Sequence, residues 1–143
     1  MPDERRHRSQ TFRAQHRELL ALIDELCRQL DVEQLEVNAT RARTLLARLA
    51  GGLGVHLAME ETAFYARLLQ HKNASVRKLA AGFVADMNAL RAAFDAYVAR
   101  WPGAQTIQAD APQFVLETQQ IVEALTLRIQ REHESLFPAL DES

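Results

Sequence analysis

The sequence predicts an all-α fold, an antiparallel up-down four-helix bundle built from a single domain, residues 1–143. Apolar residues form 48% of the chain and are mostly Ala and Leu, while aromatic residues form only 6%. This balance favours helix over sheet. Four long segments repeat apolar residues at the spacing of an amphipathic helix, and two of their connections are short. A chain of 143 residues is also long enough to close one hydrophobic core.

The first predicted helix spans residues 9–30, with Ser9 as its N-cap. Its apolar stripe reads Phe12, His16, Leu19, Ile23, Leu26 and Leu30. Cys27 lies beside this stripe and is expected to be a small buried residue. The polar segment 31–37 is expected to be a connection, with Asn38 capping the next helix.

The second predicted helix spans residues 39–70 and contains Gly51, Gly52 and Gly54. Each glycine costs about 1 kcal/mol relative to Ala inside a helix. Two interpretations stay open: a neighbouring helix approaches closely here, or the backbone is distorted one turn before His56. His56 and Glu60, four residues apart, lie on the apolar stripe formed by Leu45, Leu49, Leu53, Phe64 and Leu68.

A turn at residues 71–74 leads to a third helix, which runs to Trp101 and is ended by Pro102 and Gly103. Its predicted stripe is Val76, Leu79, Phe83, Met87, Leu90, Phe94 and Val98. A loop at 104–109 precedes the fourth helix, which begins after Asp110 as N-cap and stops at Pro138. The stripe of this helix reads Phe114, Thr118, Ile121, Leu125, Ile129, Glu132 and Leu136.

Composition excludes several classes of function. The net charge of −2 gives no overall attraction to nucleic acid or to an anionic membrane, and the basic residues Arg5, Arg6, His7 and Arg8 are expected to form a flexible tail at 1–8. A single cysteine cannot form an internal disulfide. The sequence has no signal-peptide core, no membrane-spanning run and no nucleotide-binding or catalytic motif, so a cytoplasmic, non-enzymatic protein is expected.

Four ionisable residues lie on the predicted apolar stripes: His16, His56, Glu60 and Glu132. A single histidine on such a stripe is usually a hydrogen-bonded core residue. Four such residues on three helices could instead converge inside the bundle, because burying them without a partner is costly. Two imidazoles and two carboxylates suit Fe(II), Mn(II) or Zn(II).

With these residues in place, the chain resembles the hemerythrin-like, HHE cation-binding family over nearly its whole length. His16 in FRAQHREL, His56 with Glu60 (followed by Glu61), and Glu132 before Leu136-Phe137-Pro138 match the family's motifs in order and spacing. The resemblance implies a four-helix bundle that holds a carboxylate-bridged di-iron centre and binds dioxygen or senses iron or oxygen.

The chain departs from the family at one half of that centre. Met87 and Arg91 occupy the usual histidine positions of the third helix, and Arg128 occupies that of the fourth. We therefore expect one Fe or Zn ion, in preference to a degenerate di-iron site, bound by His16, His56, Glu60 and Glu132 in a binding or sensing role, with His133 and Glu61 as candidate further ligands. In the alternative, Arg128 and Arg91 neutralise the core carboxylates. The chain is then a metal-free regulatory or interaction module.

Overall fold

The computed structural model describes residues 9–142, and every regular element in that range is helical. The elements are α1 Gln10–Cys27, α2 Val32–Val37, α3 Thr40–Met59, π1 Glu60–Tyr65, α4 Ala66–Leu68, α5 Ala74–Arg100, α6 Ala104–Ala109, α7 Ala111–Arg131, π2 Glu132–Leu136 and α8 Phe137–Glu142. The all-α prediction is confirmed. The predicted tail at 1–8 lies outside the described residues, and the single-domain assignment stays a prediction.

Neighbouring long helices run in opposite directions. Side chains near the start of α1 meet the end of α3, while those near the end of α1 meet the start of α3. The same holds for α5 and α7. The defining contacts are His16–His56 and Glu25–Arg41 for the first pair, and Phe83–Arg128 and Tyr97–Thr118 for the second. No helix among the described residues is both long and apolar enough to cross a membrane.

The core has two parts. The larger is built from α1, α3, α5 and α7, where side chains such as Leu26, Leu45 and Phe114 are fully buried. The smaller packs around the two π-helical segments and is formed by Phe12, Phe64, Tyr65, Leu68, Ala80, Met87, Leu136 and Phe137. The aromatic rings of this smaller cluster border the predicted histidines, since the ring centroids of His16 and Phe137 are 5.1 Å apart.

Two predicted connections are in fact short helices, α2 and α6. The Asp31 carboxylate accepts a hydrogen bond from the backbone N–H of Gln34 and thereby caps α2. Asn38 accepts one from Thr40, where α3 begins. Each short helix has only six residues, so neither shows the repeat by which a longer amphipathic helix is recognised.

The prediction that Pro138 stops the last helix is wrong, because the helix continues to Glu142. In π2 the hydrogen-bond register shifts, and the N–H of Phe137 donates to the carbonyl of Glu132, five residues back. Pro138 is therefore the second residue of a new α-helical segment. A missing backbone N–H costs little there.

Cys27 and Leu79 are more exposed than the sequence predicts. Cys27 is exposed rather than buried, because it is the last residue of α1 and lies one position past the buried Leu26. On α5, Leu79 is 37% exposed and Ala80 is buried in its place. Ala80, Met87 and Phe94, seven residues apart, form a narrower buried seam than the predicted stripe.

Candidate metal centre

The four predicted polar residues converge inside the bundle. His16, His56, Glu60 and Glu132 are all buried, and each offers one ligand atom within 4.8 Å of the others. His56 Nε2 lies 2.8 Å from Glu60 Oε1, and His16 Nε2 lies 3.5 Å from an oxygen of each carboxylate. The structure thus shows the meeting point, while the role of these residues as metal ligands stays a prediction.

Both carboxylates stand at the first residue of a π-helical segment, Glu60 in π1 and Glu132 in π2. A π segment inserts one extra residue per turn and changes the direction of the side chains around it. It allows Glu60, Phe64 and Tyr65 all to face inward on one helix. The distortion therefore follows His56 and does not coincide with the glycines that precede it.

A hydrogen-bonded row of histidines runs through the site. His56 Nδ1 lies 2.6 Å from Gln15 Oε1, His16 Nε2 lies 2.7 Å from His56 Nε2, and His16 Nδ1 lies 3.0 Å from His133 Nε2. The carbonyl oxygen of Gln15 can only accept, so His56 carries its proton on Nδ1 when neutral. Its Nε2 lone pair then points into the cluster, toward His16 Nε2 and Glu60, as a metal ligand requires.

The opposite side of Glu132 is held by Tyr65 and Arg128. The Tyr65 hydroxyl donates to Glu132 Oε2 at 2.9 Å and accepts a hydrogen bond from Arg128 Nη2. Arg128 also donates to the carbonyl oxygen of Phe83 at 2.8 Å, and its Nε lies 3.7 Å from Glu132 Oε1. Arg128 is therefore a neighbour of one carboxylate but not its bidentate partner.

Three other residues named from the sequence lie outside the cluster. His133 contacts the outer nitrogen of His16 and also Arg13, at 3.3 Å, so it is placed to orient His16. Glu61 is 63% exposed and pairs with Arg91, which is 45% exposed, at 3.9 Å. The expectation that Arg91 neutralises the core carboxylates is therefore wrong, because its ionic partner is this surface glutamate.

The two buried carboxyl groups have opposite pKa shifts. Burial raises the pKa of Glu132 to about 9, and the negative charge of the nearby Glu60 adds to the effect. Burial also acts to raise the pKa of Glu60, but the imidazoles of His16 and His56 outweigh it and the pKa is lowered. Burial lowers the pKa of His16, which favours its neutral form. The pair of carboxyl groups thus holds one proton near neutral pH.

A small cavity of about 20 Å³ adjoins His56 and Glu132 and is otherwise lined mainly by apolar side chains such as Leu53, Met87 and Ile129. This volume is enough for one water-sized molecule. Arg128 forms part of its wall and also lines a groove on the outer surface between α5 and α7. Arg128 therefore separates the cavity from the solvent on that side.

The four side chains leave acceptor atoms without a hydrogen bond that a metal ion could satisfy. Both oxygens of Glu60 are buried and lack a hydrogen bond of acceptable geometry. Leaving such an acceptor unsatisfied costs about 1–3 kcal/mol, and more for a charged group. A cation among the four side chains would satisfy these oxygens.

Helical bundles that bring histidine and carboxylate side chains together from facing helices form a class of proteins that bind metal ions in their cores. The profile of the hemerythrin HHE cation-binding domain matches residues 7–140, and the chain belongs to this family. The family assignment made from the motifs is confirmed, and with it the hemerythrin-like, all-α bundle. Neither a curated protein nor a solved structure matches the chain.

The sequence analysis identified neither Gln15 nor Tyr65 as part of the site. Gln15 lies one residue from His16, about 100° around the helix, so the apolar stripe gives no signal for it. Its amide donates to Met59 Sδ at 3.0 Å, which fixes the carbonyl toward His56. Tyr65 is 1% exposed within an aromatic cluster, and only its hydroxyl reveals a second role.

Proposed function

We propose that this protein binds a single Fe or Zn ion through His16, His56, Glu60 and Glu132, and that it acts in metal binding or sensing rather than catalysis. The observation that carries the proposal is the buried cluster itself, with four ligand atoms within 4.8 Å. Family membership supports the same class of ligand. A cytoplasmic location is part of the proposal.

Charge favours one ion over two. Arg128 and Tyr65 lie beside Glu132, where a second ion would share this carboxylate. A guanidinium is always charged and repels a cation. One ion with two imidazole and two carboxylate ligands matches the donor set that the structure brings together.

The test is the metal content of protein purified without nickel affinity chromatography and then loaded anaerobically with Fe(II) or with Zn(II). We expect one ion per chain in the wild type and its loss in His56→Ala and in Glu60→Gln. His71→Ala is the matched control, because the His71 ring lies in the turn before α5 and accepts a hydrogen bond from the backbone N–H of Asn73. A wild type that holds no metal after loading would refute the proposal.

A second candidate, the metal-free regulatory or interaction module, is favoured by one observation. His16 and His56 hydrogen-bond directly at 2.7 Å, and Arg128 lies 3.7 Å from Glu132, so much of the cluster is satisfied without an ion. Here Arg128→Ala would destabilise the fold strongly, since the Glu60–Glu132 pair, with its one negative charge, would be buried without this cationic neighbour. If the fold survives and metal affinity increases, the metal-binding proposal is favoured instead.

We also propose that dioxygen or another small gas reaches the bound ion through the cavity beside His56. The apolar lining and the size of this cavity support it. Leu53→Phe should fill the cavity and weaken gas binding to the Fe(II) form, while the metal content stays at one ion per chain. Unchanged gas binding in this variant would contradict the role of the cavity.

A further inference from the structure

Arg128 is the cation closest to the carboxylates of the cluster, within the part of the chain that the structure describes. Its Nε lies 3.7 Å from Glu132 Oε1, and its side chain is only 10% exposed. A guanidinium keeps its charge at every pH at which the protein folds, so its positive field acts on the site at this short distance. The charge of any bound ion would meet the same field.

The guanidinium is also held by groups other than Glu132. Nη1 donates to the carbonyl oxygen of Phe83, Nη2 donates to the Tyr65 hydroxyl, and the group lies 4.8 Å from the centroid of the Phe83 ring. These partners are uncharged, so they hold the guanidinium without neutralising it. Arg128 is therefore a fixed positive charge beside the site, whatever the protonation state of the carboxylates.

We propose that Arg128 determines which ion the site accepts, by favouring a divalent ion over a trivalent one. The inference rests on the proposed metal-binding function. Two carboxylates and one guanidinium leave one net negative charge around the ion. A divalent ion then leaves one net positive charge buried, whereas a trivalent ion leaves two, and buried uncompensated charge is costly. For iron, the same effect favours Fe(II) over Fe(III).

The test is a competition between Zn(II) and Ga(III), two ions without redox chemistry, held at defined free concentrations by one chelator. Metal bound to the intact chain is measured by mass spectrometry. Removing the charge in Arg128→Gln should raise the bound Ga(III):Zn(II) ratio roughly a hundredfold to a thousandfold, the effect expected of one unit charge about 4–6 Å away at an effective dielectric constant of about 20. Arg128→Met provides the same test should the glutamine variant not fold.

Three controls separate charge from structure. Arg128→Lys keeps the charge and should stay close to the wild-type ratio, and so should Arg41→Gln, because Arg41 pairs with the surface residue Glu25 at 3.2 Å, away from the cluster. Tyr65→Phe removes the hydrogen bonds of the Tyr65 hydroxyl with Arg128 and with Glu132 but no charge, so it should change the ratio much less than Arg128→Gln does.

The inference is overturned if Arg128→Gln and Arg128→Met bind Zn(II) but keep the wild-type Ga(III):Zn(II) ratio. It is also overturned if Arg128→Lys shifts this ratio as far as they do. In either case the metal-binding proposal stands. If the wild type and every variant bind neither Zn(II) nor Fe(II), the proposed function fails and the inference fails with it. For iron-loaded protein, a lower Fe(III)/Fe(II) reduction potential in Arg128→Gln than in Arg128→Lys is the matching result.

Discussion

Gln15 shows how one residue outside the cluster can set its chemistry. Its Oε1 lies 2.6 Å from His56 Nδ1 and keeps the Nε2 lone pair directed at the site. We expect Gln15→Leu to weaken Zn(II) binding roughly tenfold to a hundredfold, as is usual when the hydrogen-bond partner of a metal-binding histidine is lost. Competition with a chromophoric chelator measures the change.

Gln119→Leu is the control for Gln15→Leu, because Gln119 is an exposed glutamine on α7. Equal Zn(II) affinities for the two variants would show that Gln15 does not orient His56.

The sequence indicated the four residues of the cluster but not the residues that hydrogen-bond to them. His16, His56, Glu60 and Glu132 could be found because a polar residue on an apolar stripe is an anomaly that periodicity exposes. Gln15 interrupts no pattern. The hydrogen bonds of Arg128 to Tyr65 and to the Phe83 carbonyl join residues distant in the chain, so they appear only when the helices are packed.

The elements themselves were predictable where they are long and periodic. On α7, Phe114, Thr118, Ile121, Leu125 and Ile129 are all buried, as the spacing predicts. The π segments were not predictable, because a π turn is formed by the same residue types as an α turn and depends on what packs against it. The exact orientation of the Glu60 and Glu132 side chains could therefore not be predicted from the sequence.

The glycines of α3 differ in their surroundings. A Cβ at Gly52 would lie 3.4 Å from Leu19 Cδ2, so α1 approaches the helix closely there, whereas Gly51 and Gly54 face open space. Gly51→Ala should therefore stabilise the fold by roughly 0.5–1 kcal/mol, because Ala is the better helix former. Gly52→Leu should destabilise it by roughly 1–3 kcal/mol, because the added atoms would overlap Leu19.

Urea unfolding of the two glycine variants beside the wild type gives both changes in stability. Gly51→Leu serves as the control for size, since no neighbour meets a side chain's first carbon at that position. Equal losses in Gly51→Leu and Gly52→Leu would mean that close approach of α1 is not the reason for Gly52.

For the whole molecule, the buried carboxyl pair links stability to pH. Glu132 keeps its proton in the folded protein up to about pH 9, whereas in the unfolded chain it loses that proton near its ordinary pKa of 4.5. Between these values the folded state binds more protons than the unfolded state. The free energy of unfolding of the metal-free protein should therefore fall as pH rises through this window. The lowered pKa of Glu60 acts in the opposite direction but only in acid, below its ordinary pKa of 4.5.

Replacing the titrating group isolates this effect. Glu132→Gln mimics the protonated acid and keeps an acceptor for the Tyr65 hydroxyl, so its free energy of unfolding should decrease less between pH 5 and pH 9 than that of the wild type. Urea unfolding in the presence of a chelator, at several pH values, provides the comparison, and Glu134→Gln on the exposed side of π2 corrects for general charge effects.

Because a metal ion needs the deprotonated carboxylate, Zn(II) should bind more tightly to the wild type as pH rises over the same range, and the bound ion should offset the loss of stability. Parallel pH profiles for Glu132→Gln and the wild type would show that Glu132 is already ionised in the folded protein, and that Arg128 and Tyr65 together compensate its charge.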